Sequence, residues 1–134
     1  MNAKGPFEVK LVPQPMSEAA QPAHLQRLSL DKVFHGALDG TSLGEMLAVR
    51  TPDGHSGGYV ALERFTGTLD GKRGTFCLQH SSTMHEGTQS QSIQVVPGSG
   101  TDELAGVHGN MEVHIEHGMH VYDFHYSYAI SSPA

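Results

Sequence analysis

The sequence predicts an all-β protein folded as a closed antiparallel β-barrel of about eight strands. Runs of alternating apolar residues flank two turn dipeptides, Asp70-Gly71 and His117-Gly118, which is the pattern of β-hairpins. The 134 residues include 16 glycines and 7 prolines, and no segment has helical periodicity long enough to cover a sheet. A sheet of eight consecutive strands either stacks on itself or closes, and closure removes exposed edges. We therefore expect one barrel domain over residues 1–134, with a β-sandwich as the alternative.

The segment 59–80 is expected to form the central hairpin. With Asp70-Gly71 as the turn, the expected cross-strand pairs are Leu69 with Lys72, Phe65 with Phe76, and Glu63 with Leu78. Because side chains alternate along a strand, one face carries Tyr59, Ala61, Glu63, Phe65, Phe76, Leu78 and His80. A slip of one residue would put the two phenylalanines on opposite faces, so the aromatic match favours this register. This face is the expected core face.

The C-terminal segments 103–116 and 119–130 predict a second hairpin around His117-Gly118. Its expected pairs are Ile115 with His120, Val113 with Tyr122, Met111 with Phe124, and Gly109 with Tyr126. The inward face then carries His120, Tyr122 and Tyr126 among apolar residues. If the barrel closes, these side chains share an interior with Glu63 and His80.

The remaining elements follow from apolar alternation and from breaker residues. We expect strands at residues 7–12, 24–35, 41–50 and 89–96, and connections at residues 14–23, 36–40, 51–58, 81–88 and 97–100. Pro13 and Pro15 are expected to end the first strand, and Pro22 breaks the only short helical start in the following loop. At residues 24–35 a strand is favoured over a helix, because Leu28, Leu30 and Phe34 fall on alternate positions.

Composition limits the classes of partner. The formal charge is −6 and the basic residues are scattered, whereas nucleic-acid binding requires a concentrated basic face. No signal-peptide apolar region and no run of 18 apolar residues are present, so we expect a cytoplasmic protein that does not bind membranes. A single cysteine, Cys77, cannot form an internal disulfide. Leu62, Ile93 and Val95 are expected to face outward, and such apolar patches favour a homo-oligomer.

Polar residues inside an aromatic interior are the candidates for function. The expected ligand-binding set is Tyr59, Glu63, Phe65, Phe76, His80, His120, Tyr122 and Tyr126. Glu63 and His80 are expected to lie diagonally across the central hairpin, roughly 5–8 Å apart at Cβ, and they are the candidate catalytic residues. Burial raises the pKa of a carboxyl group and a neighbouring imidazolium lowers it, so such a pair can transfer protons near neutral pH. The pair could equally satisfy each other's charge and serve only the fold.

Metal and cofactor sites are not expected. His114 and His120 fall on opposite faces of their hairpin and His117 lies in its turn, so one ion cannot collect all three. A weak surface site is conceivable where His108, His114 and His125 share the outer face with Glu112 and Asp123. Gly98-Ser99-Gly100-Thr101 lacks the helix that a phosphate-binding loop needs, and the following Asp102-Glu103 would repel an anion.

Several motifs resemble the uncharacterised bacterial family known as domain of unknown function 3224. The resemblance lies in Phe34-His35-Gly36, Leu38-Asp39-Gly40, Gly67-Thr68-Leu69-Asp70-Gly71, Gly74-Thr75-Phe76, Gln79-His80, Val95-Val96-Pro97-Gly98-Ser99-Gly100-Thr101, Glu103-Leu104-Ala105-Gly106, Gly118-Met119-His120-Val121-Tyr122 and Tyr126. It extends over nearly the whole chain from about residue 24. The resemblance implies a small barrel similar in shape to allene oxide cyclase and dirigent proteins, which handle small, largely apolar molecules. The family has no established activity, so no catalytic residue is implied.

Three functions remain open from the sequence. The first is a barrel that binds a small, mostly apolar molecule and orients it with Glu63, His80, His120 and Tyr122. The second is an isomerase, cyclase or hydratase that uses the same residues for proton transfer, in which Glu63→Gln would abolish turnover but preserve affinity. The third is a filled barrel that acts through its outer surface and has no internal cavity.

Overall fold

Eight consecutive antiparallel strands close into a barrel, as the sequence predicts. The computed structural model describes residues 1–129. The strands are β1 (Asn2–Gln14), β2 (Gln26–Phe34), β3 (Leu38–Arg50), β4 (Ser56–Leu69), β5 (Lys72–His85), β6 (Thr88–Val95), β7 (Val107–Glu116) and β8 (Met119–Tyr128). Each strand pairs with the next along the chain, and β8 pairs with β1 to complete the ring. Two 3₁₀ helices, Glu18–Ala23 and Asp102–Leu104, occupy connections, and no helix within residues 1–129 is long and apolar enough to cross a membrane.

The registers of both predicted hairpins are confirmed. On β4 and β5, Phe65 pairs with Phe76 and Glu63 pairs with Leu78. On β7 and β8, Val113 pairs with Tyr122. In each hairpin both turn residues have positive φ, 48° and 83° for Asp70-Gly71 and 51° and 77° for His117-Gly118. These values match the tight turn that the right-handed twist of paired strands requires.

The first strand is longer than its alternating pattern predicts, and it contains two prolines. Residues 2–7 of β1 pair with β8, whereas residues 7–14 pair with β2. Pro6 and Pro13 therefore each lie where β1 has a paired neighbour on one side only. A proline can occupy such a position because its missing N–H is not required by a second neighbour. Pro13 consequently does not end the strand, contrary to the prediction.

The prediction of a polar loop at residues 81–88 is wrong. Strand β5 continues to His85, Glu86-Gly87 forms a tight turn with positive φ at both residues, and β6 starts at Thr88. This part of the hairpin extends past the packed core, so most of its side chains are exposed and the apolar alternation that marks a strand is absent. The predicted strand 103–116 is also shorter, because the 3₁₀ helix Asp102–Leu104 precedes β7. The predicted end of the last strand at Ile130 lies outside the described residues.

One end of the barrel is filled by aromatic rings. Ring centroids lie 5.1 Å apart for Phe65 and Phe76, 5.7 Å for Phe76 and Phe124, and 5.3 Å for Phe124 and Tyr126. Leu104, carried by the second 3₁₀ helix, is fully buried against this cluster. The interior at this end therefore has no room for a ligand, and the open space lies at the other end.

Two residues predicted to face outward face the interior instead. Ile93 and Val95 on β6 are buried. They pair with His80 and Leu78 on β5, both of which face inward, and directly opposite residues share a face of the sheet. Only Leu62 of the three predicted outward residues is exposed.

Candidate functional site

An open cavity of about 500 Å³ occupies the end of the barrel opposite the aromatic cluster. Its lining comes from all eight strands and consists of Phe7, Val9, Leu11, Leu30, Lys32, Met46, Tyr59, His80, Gln89, Gln91, Ile93, Val113, His114, Ile115 and His120. Most of these side chains are apolar, and the few polar ones converge from different strands. This combination is typical of small-molecule binding sites, whose volumes range from about 300 to 1,000 Å³.

Three ionisable side chains meet at the inner end of the cavity. The Glu63 Oε1 atom lies 3.1 Å from Lys32 Nζ and 3.1 Å from His80 Nε2. Lys32 and His80 are each 5% exposed and Glu63 is 2% exposed. Lys32 and His80 border the cavity, whereas the Glu63 side chain is fully covered. We refer to Lys32, Glu63 and His80 as the inner charged cluster.

The strand between Lys32 and Glu63 lets the two side chains meet. β3 separates β2 from β4, and its inward positions at this level are the small residues Ser42 and Gly44. Gly44 stands opposite Glu63 and has no side chain. A larger residue there would also collide with the neighbouring strand, because a Cβ on Gly44 would lie within 2.7 Å of the Glu63 Cα atom.

The inner charged cluster keeps Glu63 ionised. Burial raises the pKa of the Glu63 carboxyl group, but the hydrogen bond from His80 and the positive charge of Lys32 outweigh it, so the pKa lies below its ordinary value of 4.5. The second carboxylate oxygen, Oε2, is buried and has no hydrogen-bond partner among residues 1–129. Because Oε1 accepts from both neighbours, the carboxylate holds two donors on one oxygen.

The cavity brings together part of the predicted ligand-binding set. Tyr59, His80 and His120 line it, and the His120 ring packs against Phe7 with centroids 5.3 Å apart. Glu63 does not line the cavity, but it is hydrogen-bonded to Lys32 and His80, which do. The other members of the predicted set, Phe65, Phe76, Tyr122 and Tyr126, are buried at the filled end and do not border the cavity.

The hydroxyl groups of two buried tyrosines, Tyr122 and Tyr126, are hydrogen-bonded to other protein groups, and neither residue lines the cavity. The Tyr122 hydroxyl lies 2.6 Å from the His35 carbonyl oxygen, to which it donates, and it accepts from the Leu38 backbone N–H at 3.0 Å. Burial raises the Tyr122 pKa above its ordinary value. The Tyr126 hydroxyl donates to the Asp70 carboxylate in the central hairpin turn. The Tyr122 hydroxyl therefore links β8 to the connection between β2 and β3, and the Tyr126 hydroxyl links β8 to the turn between β4 and β5.

Comparison with known proteins agrees with this architecture. The profile of the family described as "Protein of unknown function (DUF3224)" matches residues 3–126. The chain belongs to the DUF3224 family. A crystal structure of a DUF3224 protein of unknown function from Shewanella oneidensis MR-1 is 39% identical, and the match covers 98% of each chain with a TM-score of 0.91. No curated protein matches the sequence.

The key residue that sequence reasoning missed in this DUF3224 protein is Lys32. Lys32 alternates with Leu30 and Phe34 along β2, so the same pattern that predicts the strand also puts this lysine on its inward face. Its ammonium lies 5.2 Å from the centre of the Phe7 ring and 5.7 Å from that of Phe34, within the range of cation–π attraction. An inward lysine on a core strand was therefore a detectable signal.

Two histidines of β7 in the DUF3224 chain make local contacts, and one of them, His114, also borders the cavity. His108 Nε2 lies 2.7 Å from the Ser127 hydroxyl, and His114 Nε2 lies 3.1 Å from a Glu116 carboxylate oxygen. Glu112, Asp123 and His125 place potential ligand atoms within 4.8 Å of one another on the outer face of β7 and β8. This group is largely exposed, and exposed acidic groups often lie together without an ion, so we assign it no function.

Proposed function

We propose that this DUF3224 protein binds a small, largely apolar molecule inside its barrel. The observation that carries the proposal is the cavity of about 500 Å³, with apolar walls and the inner charged cluster at its end. A closed eight-stranded barrel is just wide enough to hold one small ligand when its interior is not filled by side chains. Here the aromatic cluster fills one end only, which leaves the other end free for a ligand.

Native mass spectrometry of freshly purified protein, compared with the denatured mass, tests this proposal. We expect a bound small molecule in the wild type. Val9→Trp should prevent its binding, because Val9 lines the cavity beside Lys32 and the larger ring would fill the space. Val12→Trp is the matched control, because Val12 is exposed on the same strand and does not line the cavity. The neutral fluorescent dye N-phenyl-1-naphthylamine provides a second measurement that does not depend on a co-purified ligand.

The expected result is dye binding by the wild type and by Val12→Trp, with loss of binding in Val9→Trp. A wild-type protein that carries no small molecule and does not bind the dye would contradict the proposal. Equal binding by Val9→Trp and the wild type would show that the dye binds elsewhere, which would also contradict it.

An enzyme that transfers protons is the second candidate, and one contact favours it. His80 borders the cavity while its Nε2 atom is hydrogen-bonded to the buried Glu63 carboxylate, an arrangement that orients an imidazole for general acid–base work. Glu63 itself does not reach the cavity, so His80 would be the group in contact with a substrate. Once native mass spectrometry identifies a ligand, a wild-type protein that leaves it chemically unchanged over hours would exclude this candidate.

The third function, an interaction module with a filled interior, has less support. It predicts a barrel without an internal cavity, whereas this barrel contains one of about 500 Å³. The cavity therefore counts against this function.

A further inference from the structure

The charge of the cavity lining differs from that of the whole protein. The chain carries 14 acidic residues and a formal charge of −6. Among the residues of the described chain that line the cavity, however, none is an aspartate or a glutamate. The lining residues that can carry charge at neutral pH are Lys32, His80, His114 and His120, all of which are cationic when protonated. The cavity is thus an apolar space bordered by positive or potentially positive groups.

Lys32 has hydrogen-bonding capacity that the protein does not use. An ammonium group has three donors, and the one hydrogen bond that Lys32 Nζ makes within residues 1–129 is with Glu63 Oε1. Its other close neighbours are the faces of the Phe7 and Phe34 rings. The Lys32 side chain is only 6% exposed, and buried donors without acceptors cost free energy. An acceptor in the cavity would remove that cost.

Glu63 accepts one hydrogen bond from Lys32 but leaves the other Lys32 donors without an acceptor. Its side chain is fully covered, and its one hydrogen-bonded oxygen is shared between Lys32 and His80. A molecule in the cavity therefore meets the donors Lys32 and His80 before it meets the carboxylate. Of the two other histidines in the lining, His114 contacts Glu116 at 3.1 Å, whereas His120 packs against the Phe7 ring and makes no hydrogen bond within residues 1–129.

The walls beyond the inner charged cluster suit a hydrocarbon. They consist of Phe7, Val9, Leu11, Leu30, Met46, Ile93, Val113 and Ile115. A wholly apolar molecule would cover Lys32 without giving it an acceptor, and a cation would be repelled by it. A molecule with an apolar body and an anionic end satisfies both parts of the lining.

We propose that the ligand is an amphiphilic monocarboxylate, whose carboxylate accepts hydrogen bonds from Lys32 and whose hydrocarbon part lies along the apolar walls. This inference rests on the proposed function, because it names the class of molecule that the cavity binds. Charge-assisted hydrogen bonds between an ammonium and a carboxylate are roughly twice as strong as neutral ones, so the head group should dominate selectivity.

Isothermal titration calorimetry at pH 7 with three probes of equal chain length tests the inference. Decanoate is anionic, decan-1-ol is neutral and decyltrimethylammonium is cationic. We expect decanoate to bind about tenfold or more tightly than decan-1-ol, and we expect the cation to bind most weakly. Decan-1-ol binding as tightly as decanoate would overturn the inference but leave the proposed function standing. Failure of all three probes to bind would overturn both.

Two substitutions in the inner charged cluster are expected to change the affinity for decanoate in opposite directions. Lys32→Met should weaken decanoate binding about tenfold and change decan-1-ol binding little. Glu63→Gln should strengthen decanoate binding, because it removes the negative charge beside the Lys32 ammonium. Lys10→Met is the matched control, since the Lys10 side chain is exposed and does not line the cavity, although its neighbours Val9 and Leu11 do. Weaker decanoate binding in both Lys32→Met and Glu63→Gln would show a merely structural role and overturn the inference.

A double substitution covers the case in which Lys32→Met alone fails to fold. Lys32→Met with Glu63→Gln removes both charges, so no unpaired charge remains buried. We expect this variant to bind decanoate and decan-1-ol with similar affinity. A retained tenfold preference for decanoate would overturn the assignment of the carboxylate to Lys32.

Discussion

Glu63 is a carboxyl group in an apolar interior, and its charge depends on two partners from other strands. Lys32 and His80 each lie 3.1 Å from the same oxygen of Glu63, and together they lower the Glu63 pKa despite burial. Removing either partner would leave part of the charge unpaired, which in buried sites is more costly than replacing the whole pair. At this scale the inner charged cluster is one unit, and single substitutions in it should affect one another.

The lowered pKa of Glu63 predicts how stability depends on pH. A group whose pKa is lower in the folded state stabilises the fold above its unfolded-state pKa, and the contribution is lost as pH falls through the folded-state pKa. Glu63→Gln should reduce the free energy of unfolding at pH 7 by about 3 kcal/mol. This difference from the wild type should shrink as the pH falls below 4.5, the ordinary pKa of the group. Urea denaturation at several pH values between 3 and 7 measures it.

Glu18→Gln is the control for this experiment, because Glu18 is exposed on the first 3₁₀ helix. It should change the free energy of unfolding little at any pH. A difference between the wild type and Glu63→Gln that stays constant from pH 3 to pH 7 would contradict the link to Glu63 protonation.

At the scale of strands, the junction between β6 and β7 differs from the other seven. Its backbone pairing is limited to Gln94 with Asn110, whereas the other neighbours pair over six or more residues. Beyond that pair, the Gln91 side chain accepts a hydrogen bond from the Val113 backbone N–H at 3.2 Å. Gln91 and Val113 both line the cavity. A side-chain hydrogen bond thus takes the place of backbone pairing at this junction, which lies beside the proposed ligand cavity.

Gln91→Ala should loosen this junction. Without the side-chain acceptor, the Val113 amide should exchange with solvent about 2- to 10-fold faster, which corresponds to the loss of one hydrogen bond. Hydrogen exchange followed by NMR measures this rate for each amide. Gln94→Ala is the control, since the Gln94 side chain is exposed on the same strand. An unchanged Val113 exchange rate in Gln91→Ala would show that the side chain does not hold the junction.

At the scale of the whole molecule, the barrel is divided between a filled end and a hollow end, and its outer surface is not uniformly polar. Leu43, Leu47, Val49, Val60 and Leu62 are exposed together on the outer face of β3 and β4. Contiguous apolar surface of this kind often marks a contact between protein molecules. The expectation of a homo-oligomer therefore remains a prediction, and this outer face is where we expect the contact.

Leu62→Glu tests the predicted oligomer. A charge at the centre of this outer face should separate the subunits, so sedimentation velocity should give a smaller species than the wild type gives. Gln94→Glu adds the same charge on the outer face of β6 and should leave the sedimentation coefficient unchanged. A wild-type protein that sediments as a monomer at high micromolar concentration would contradict the prediction.

Local chemistry made much of the fold predictable from the sequence. The turns at Asp70-Gly71 and His117-Gly118 need residues that tolerate positive φ, and both hairpins have the predicted register. The same reasoning failed at residues 81–88, where most side chains are exposed, the buried one is the polar Ser82, and apolar alternation is absent. Pattern reasoning therefore detects strands through an apolar buried face and misses those whose inward residues are polar.

By itself, the sequence determined the number and order of the strands, the two main turns, and the inward orientation of Glu63 and His80. Only the tertiary structure decided that Lys32 joins them and that Tyr122 and Tyr126 bind turns at the filled end. The physical reason is the distance along the sequence over which each kind of signal acts. Alternation and turn chemistry act between residues close in sequence, whereas Lys32 and Glu63 lie on strands separated by β3, and they meet because Ser42 and Gly44 are small and the sheet closes.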